Sequence, residues 1–251
     1  MDVIFRGLAC ENFAEVQRVI TRRPKYVYFI DDASWTLFDH VIMCGKLDIA
    51  KYLWDMDGRP NLEIYCDGKN SPVHEAACYA VSDIFIDTLG WVLEKEILPR
   101  SVLNIKGRDG MTPIDCAIDY VNLKIAKYLW DMGGRPNLEI YCDWHNTPVH
   151  EAAHCEESAM MKWIFTEGVL PLSVLNIKDH KWGRTPFDIV ISKKQWETVT
   201  FLGRFYLDPV FLAMQRAKRD YRQCVLRRLP NELLDMVVEE VAARLYLKVK
   251  W

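Results

Sequence analysis

One stretch of this chain occurs twice. Ala50 to Ala77 reads AKYLWDMDGRPNLEIYCDGKNSPVHEAA, and Ala126 to Ala153 reads AKYLWDMGGRPNLEIYCDWHNTPVHEAA. The copies differ at only four positions: Asp57/Gly133, Gly68/Trp144, Lys69/His145 and Ser71/Thr147. A second pair follows, SVLNIK at Ser101–Lys106 and again at Ser173–Lys178, and then GMTPIDCAI from Gly110 and GRTPFDIVI from Gly183. Self-similarity of this kind marks a repeat architecture, in which each unit buries its apolar face only by stacking on a neighbour. The two copies start 76 residues apart, so the duplicated unit is about twice the length of one ordinary repeat.

The smaller period appears when Ser71-Pro72, Thr112-Pro113, Thr147-Pro148 and Thr185-Pro186 are aligned, with Thr36-Leu37 as a degenerate earlier start. A hydroxyl before proline predicts a helix start. The hydroxyl caps an orphan N–H, and proline fits the first turn. Apolar residues follow at helical spacing, as with Val149, Ala152 and Ala153. A second stripe, Ile49, Ala50, Leu53 and Met56, recurs as Ile125, Ala126, Leu129 and Met132. Gly-Arg-Pro-Asn then ends that helix, with glycine as the expected C-cap and proline unable to continue it. Each unit reads as helix, short turn, helix and an extended loop.

SPVHEAA at Ser71–Ala77 and TPVHEAA at Thr147–Ala153 resemble the ankyrin signature TPLHxAA, and Asp57–Asn61 and Gly133–Asn137 resemble its closing turn. The resemblance implies an all-α ankyrin-repeat solenoid of about six repeats over residues 1–207, the first an atypical cap from Met1 to about Asp32. It departs from the family in mostly lacking Gly-His after the first helix and in longer connections at Leu98–Ile105 and Leu170–Ile177. The resemblance also implies that His74 and His150 tie neighbouring loops together and orient the Ser or Thr hydroxyl.

His150-Glu151-Ala152-Ala153-His154 satisfies H-E-x-x-H, the zinc-hydrolase spacing that puts two imidazoles on one helix face. The sister copy ends in Cys78 instead, and no third ligand follows at the expected distance, so a zinc hydrolase is the weakest reading. No phosphate loop, nucleophile triad or paired catalytic carboxylates emerges. The expectation is a non-enzyme with no cofactor, no catalytic residue and no metal.

Function is expected at the loop tips, because loops on a rigid scaffold carry binding residues. Two of the four differences in the duplicated block lie side by side there, where Gly68-Lys69 becomes Trp144-His145, and the next tip reads Asp179-His180-Lys181-Trp182. Lys69, Trp144, His145, His180, Lys181 and Trp182 are the candidate partner-binding residues. Exposed tryptophan is enriched at binding hot spots. The alternative is that each Trp folds back onto its own repeats.

Composition narrows the class. With 50% hydrophobic residues and a formal net charge of −3, the chain of 251 residues fits neither disorder nor bulk nucleic-acid binding, which needs a positive excess. The eight cysteines are scattered with no C-x-x-C, which argues against a zinc ribbon and for reduced packing residues in a reducing compartment. Arg6 breaks the N-terminal apolar run before a signal h-region forms. No segment has the roughly 18 apolar residues of a spanning helix. The expected location is the cytoplasm, with the nucleus, or a host cell for a pathogen's protein, also open; membrane and nucleic acid are not expected partners.

Residues 208–251 are expected to be a separate helical C-terminal segment. A basic stretch from Arg216 to Arg228 precedes LPNELLDMVV at Leu229–Val238. Leu229-Pro230 with Leu233, Leu234, Val237 and Val238 predicts a capped amphipathic helix, and resembles the opening of an F-box. Its place after ankyrin repeats looks like the truncated F-box of poxviral ankyrin proteins. The implied partner is a Skp-type adaptor of a cullin-RING ubiquitin ligase, to which the repeats would bring a target protein. The alternative is a capping helix on a plain ankyrin scaffold or inhibitor with no ubiquitin link.

Overall fold

The computed structural model describes residues 12–65, 69–79, 82–107, 109–140, 147–155, 159–199 and 201–202. The fold is all-α: among these residues there are helices and turns but no strand, only an isolated bridge between Ile30 and Thr36. The helices are α1 (Phe13–Arg22), α2 (Leu37–Cys44), α3 (Leu47–Asp55), α4 (Pro72–Tyr79), α5 (Ser82–Glu94), α6 (Pro113–Asp119), α7 (Leu123–Asp131), α8 (Pro148–His154), α9 (Ala159–Thr166) and α10 (Pro186–Ser192). None is long and apolar enough to cross a membrane.

Every Ser/Thr start of the sequence begins a helix, including the degenerate one at Thr36. These first helices pack on one another in succession, α2 on α4, α4 on α6, α6 on α8 and α8 on α10. The second helices lie beside them, α3 against α2, α7 against α6 and α9 against α8, while α5 contacts α2, α3 and α7. Small residues permit the close approach: Ala76, Ala77, Ala117, Ala152 and Ala153 are fully buried. One apolar core runs through the array from Val16 to Leu202.

The third residue of each first helix locks its cap, and its chemistry alternates along the chain: Asp39, His74, Asp115, His150, Asp188. Asp39 accepts from the Thr36 amide (2.9 Å) and, across the unit, from the Asn61 amide (3.0 Å) and the Tyr65 hydroxyl (2.9 Å). Asp115 repeats this with Thr112 (2.9 Å) and Asn137 (2.8 Å). His74 accepts the Ser71 amide at Nδ1 (3.1 Å), which fixes the tautomer, so Nε2–H donates to the Ile105 carbonyl (3.0 Å). His150 does the same with Thr147 (3.1 Å) and Ile177 (3.2 Å). Burial lowers the pKa of both imidazoles and keeps them neutral, against the carbonyls that favour charge. The structural role implied for His74 and His150 is therefore the one observed.

Three details differ from the sequence reading. The left-handed residue after α3 and α7 is Asp57 (φ 64°) or Gly133 (φ 97°), one position before the glycine expected to cap. Gly58 and Gly134 serve close approach instead, since a Cβ there would lie 2.8 Å from the Leu53 carbonyl oxygen and 2.9 Å from that of Leu129. Met56, read as part of the apolar stripe, is the C-cap of α3 and is 38% exposed. The loops expected to be extended hold 3-10 turns at Leu62–Ile64, Arg100–Asn104, Leu138–Ile140 and Leu172–Asn176. In the longer ones the repeated SVLNIK buries Val102 and Leu103, or Val174 and Leu175, in the core.

Candidate partner-binding surface

The tip between the 3-10 turn at Leu172–Asn176 and α10 is built around one buried carboxylate. Asp179 is almost wholly buried, its amide donates to the Arg184 carbonyl (2.7 Å), and the Gly183 amide returns to its own carbonyl (3.1 Å). Gly183 sits at φ 63°, which closes this turn. The carboxylate accepts from the Trp182 amide (2.5 Å) and from Arg184 Nε (3.2 Å). Burial works against its charge, but the Trp182 amide and the Arg184 hydrogen bonds and charge together hold the pKa below its usual value.

That brace presents Trp182 to solvent. The indole is 59% exposed, with Arg184 and the Lys181 ammonium each 4.2 Å from the ring centroid. Trp182 thus does not fold back into the repeat core. Lys178, His180 and Lys181 in the same loop are exposed, and so is Lys69 on an earlier tip. Trp144 and His145 lie outside the described residues, as do Leu229, Pro230, Leu233, Leu234, Val237 and Val238.

The H-E-x-x-H spacing does not make a metal site. His150 is fully buried, and both ring nitrogens are engaged by the cap and the loop carbonyls. Among the described residues no three His, Cys, Asp or Glu side chains are grouped to hold a metal ion. Cys116 is buried and Cys44, Cys78 and Cys155 are half-buried, and none of these four is in a disulfide.

Two features had no counterpart in the sequence reading. Tyr79 and Tyr120, at the ends of α4 and α6, are 68% and 48% exposed, with rings edge-on at 4.9 Å and hydroxyls 2.8 Å apart. Beside them Asp119 has its pKa pushed up to about 6, by burial first and then by the charges of Glu151 and Asp115. The second is an Arg–Trp pair in each copy of the duplicated block. Arg59 lies 3.8 Å over Trp54 and Arg135 lies 4.1 Å over Trp130, and each guanidinium also donates to the carbonyl of its Trp. The five-residue spacing of Trp and Arg in both copies was a usable signal for this clamp.

No protein-family model matches the chain, and no curated protein matches it.

Proposed function

We propose that this chain is an ankyrin-type repeat protein that acts by holding a target protein at its loop tips, without catalysing a reaction. The observation that supports it most is Trp182: a large indole kept in solvent by a purpose-shaped turn rather than buried. A side chain of this kind, its amide held by Asp179 and its ring flanked by Lys181 and Arg184, suits an interface anchor. The Ser/Thr-capped helix pairs and their His/Asp locks agree with the ankyrin signature carried by SPVHEAA and TPVHEAA.

The tail completes the proposal. Residues 208–251, through Leu229-Pro230, Leu233, Leu234, Val237 and Val238, dock a Skp-type adaptor, so that the held target is delivered to a cullin-RING ubiquitin ligase. The chain itself would transfer no ubiquitin.

Affinity purification with mass spectrometry tests both halves. The Trp144→Ala/Trp182→Ala variant is expected to lose the captured target while keeping the parent's melting temperature. Loss of melting temperature with unchanged capture would make the two indoles structural. Leu233→Ala/Leu234→Ala is expected to lose the Skp-type adaptor and keep the target. If the intact chain captures a target but no adaptor, the ubiquitin link falls and a plain scaffold remains.

A further inference from the structure

We propose that the tip at 178–184 docks an acidic polypeptide segment, with Trp182 as apolar anchor and Lys178 and Lys181 as the charges that select it. This rests on the protein-binding reading above and names the chemistry of the partner. The geometry of the indole carries it. Two cations lie 4.2 Å from the ring centroid, so a partner that covers Trp182 also strips water from Lys181 and Arg184. Desolvating a cation is costly unless an anion replaces the water. Arg184 already has Asp179 as its counter-ion. Among the described residues no carboxylate pairs with Lys181 or Lys178. A purely apolar partner would therefore gain the indole and lose on the cations. A partner with carboxylates beside an apolar residue gains on both.

The source of the anion also follows from charge. A phosphate backbone is long and uniformly negative and needs an extended basic track. The first helices instead present the half-buried Glu75, Asp119 and Glu151, and the whole chain is net negative at −3. A short acidic peptide needs only the cations of the tip itself.

The test is fluorescence anisotropy with the full-length chain and a fluorescein-labelled peptide of alternating Glu and Leu. Saturable binding that weakens with added salt is expected. Trp182→Ala should weaken it about 30-fold, the size of a central hot-spot loss. Lys181→Glu should also weaken it, and should create binding to a peptide of alternating Lys and Leu. Lys51→Glu makes the same charge change on the exposed side of α3 and should leave binding as in the parent. Equal binding by parent, Trp182→Ala and Lys181→Glu overturns the proposal. So does an equal effect of Lys51→Glu and Lys181→Glu, which would be a net-charge effect only. Tighter Trp182-dependent binding of an oligothymidine strand or of phosphatidylserine vesicles overturns it in favour of those anions. If the acidic peptide is ignored while Trp182→Ala still loses its captured protein, the adaptor reading stands and the acidic chemistry alone is wrong.

Discussion

Asp119 is a carboxylate kept at a cost. Its native pKa of about 6 lies above the unfolded value of about 3.9, so the folded chain binds its proton more tightly than the unfolded one. Stability from this group is therefore highest below about pH 4, declines as pH rises to about 6, and stays at the lower level above that. Asp119→Asn removes the penalty. With the residue half-exposed, the gain at pH 7 should be about 1 kcal/mol, well below the full shift. Urea melts of the parent and the variant at pH 4.5 and pH 7 check this: the variant should gain at both and clearly more at the higher pH. Nothing in the sequence marked the site. Asp119 and Glu151 sit on different helices, and Tyr79 and Tyr120 meet only because α4 and α6 stack. Trp182 was legible because it is a tryptophan in a polar loop. Its two cations were not, because their approach depends on the turn that Asp179 and Gly183 make.

The elements themselves were legible because their signals are local. A Ser or Thr, usually followed by Pro, with Asp or His three residues on, marks every first helix before any packing is considered. The ends of α3 and α7 were harder, since a Gly-rich turn does not reveal which position is left-handed and which is merely crowded. Gly58→Ala and Gly134→Ala should each cost about 2 kcal/mol, because the new methyl meets a carbonyl oxygen that belongs to the helix and cannot give way. Ala153→Leu should cost about 1–3 kcal/mol by overpacking α8, which is closed in by α6, α9 and α10. Chemical denaturation of these three variants is the check. A midpoint equal to the parent's for Ala153→Leu would mean that α8 has room the packing does not show.

At the scale of the whole molecule, the units are of two kinds, one locked by aspartate and one by histidine. The joint between them is specific: Asn104, in the loop of the His74 unit, donates to the Gly133 carbonyl (3.2 Å) and accepts from the Arg135 amide (2.7 Å) in the unit that follows. The Asn137 side chain reaches back to the Gly110 carbonyl (2.8 Å). Such a chain has a parity. Excising residues 71–146 joins Asn70 to Thr147 and restores the succession of an aspartate unit by a histidine unit. Excising 112–146 alone sets two histidine units side by side and leaves Asn104 without Gly133 and Arg135. The longer excision should therefore melt cooperatively and the shorter one at a lower temperature, despite removing less of the protein. Growth or loss of such an array by recombination would be tolerated in even steps, and the near-identical blocks at Ala50 and Ala126 stand one such step apart.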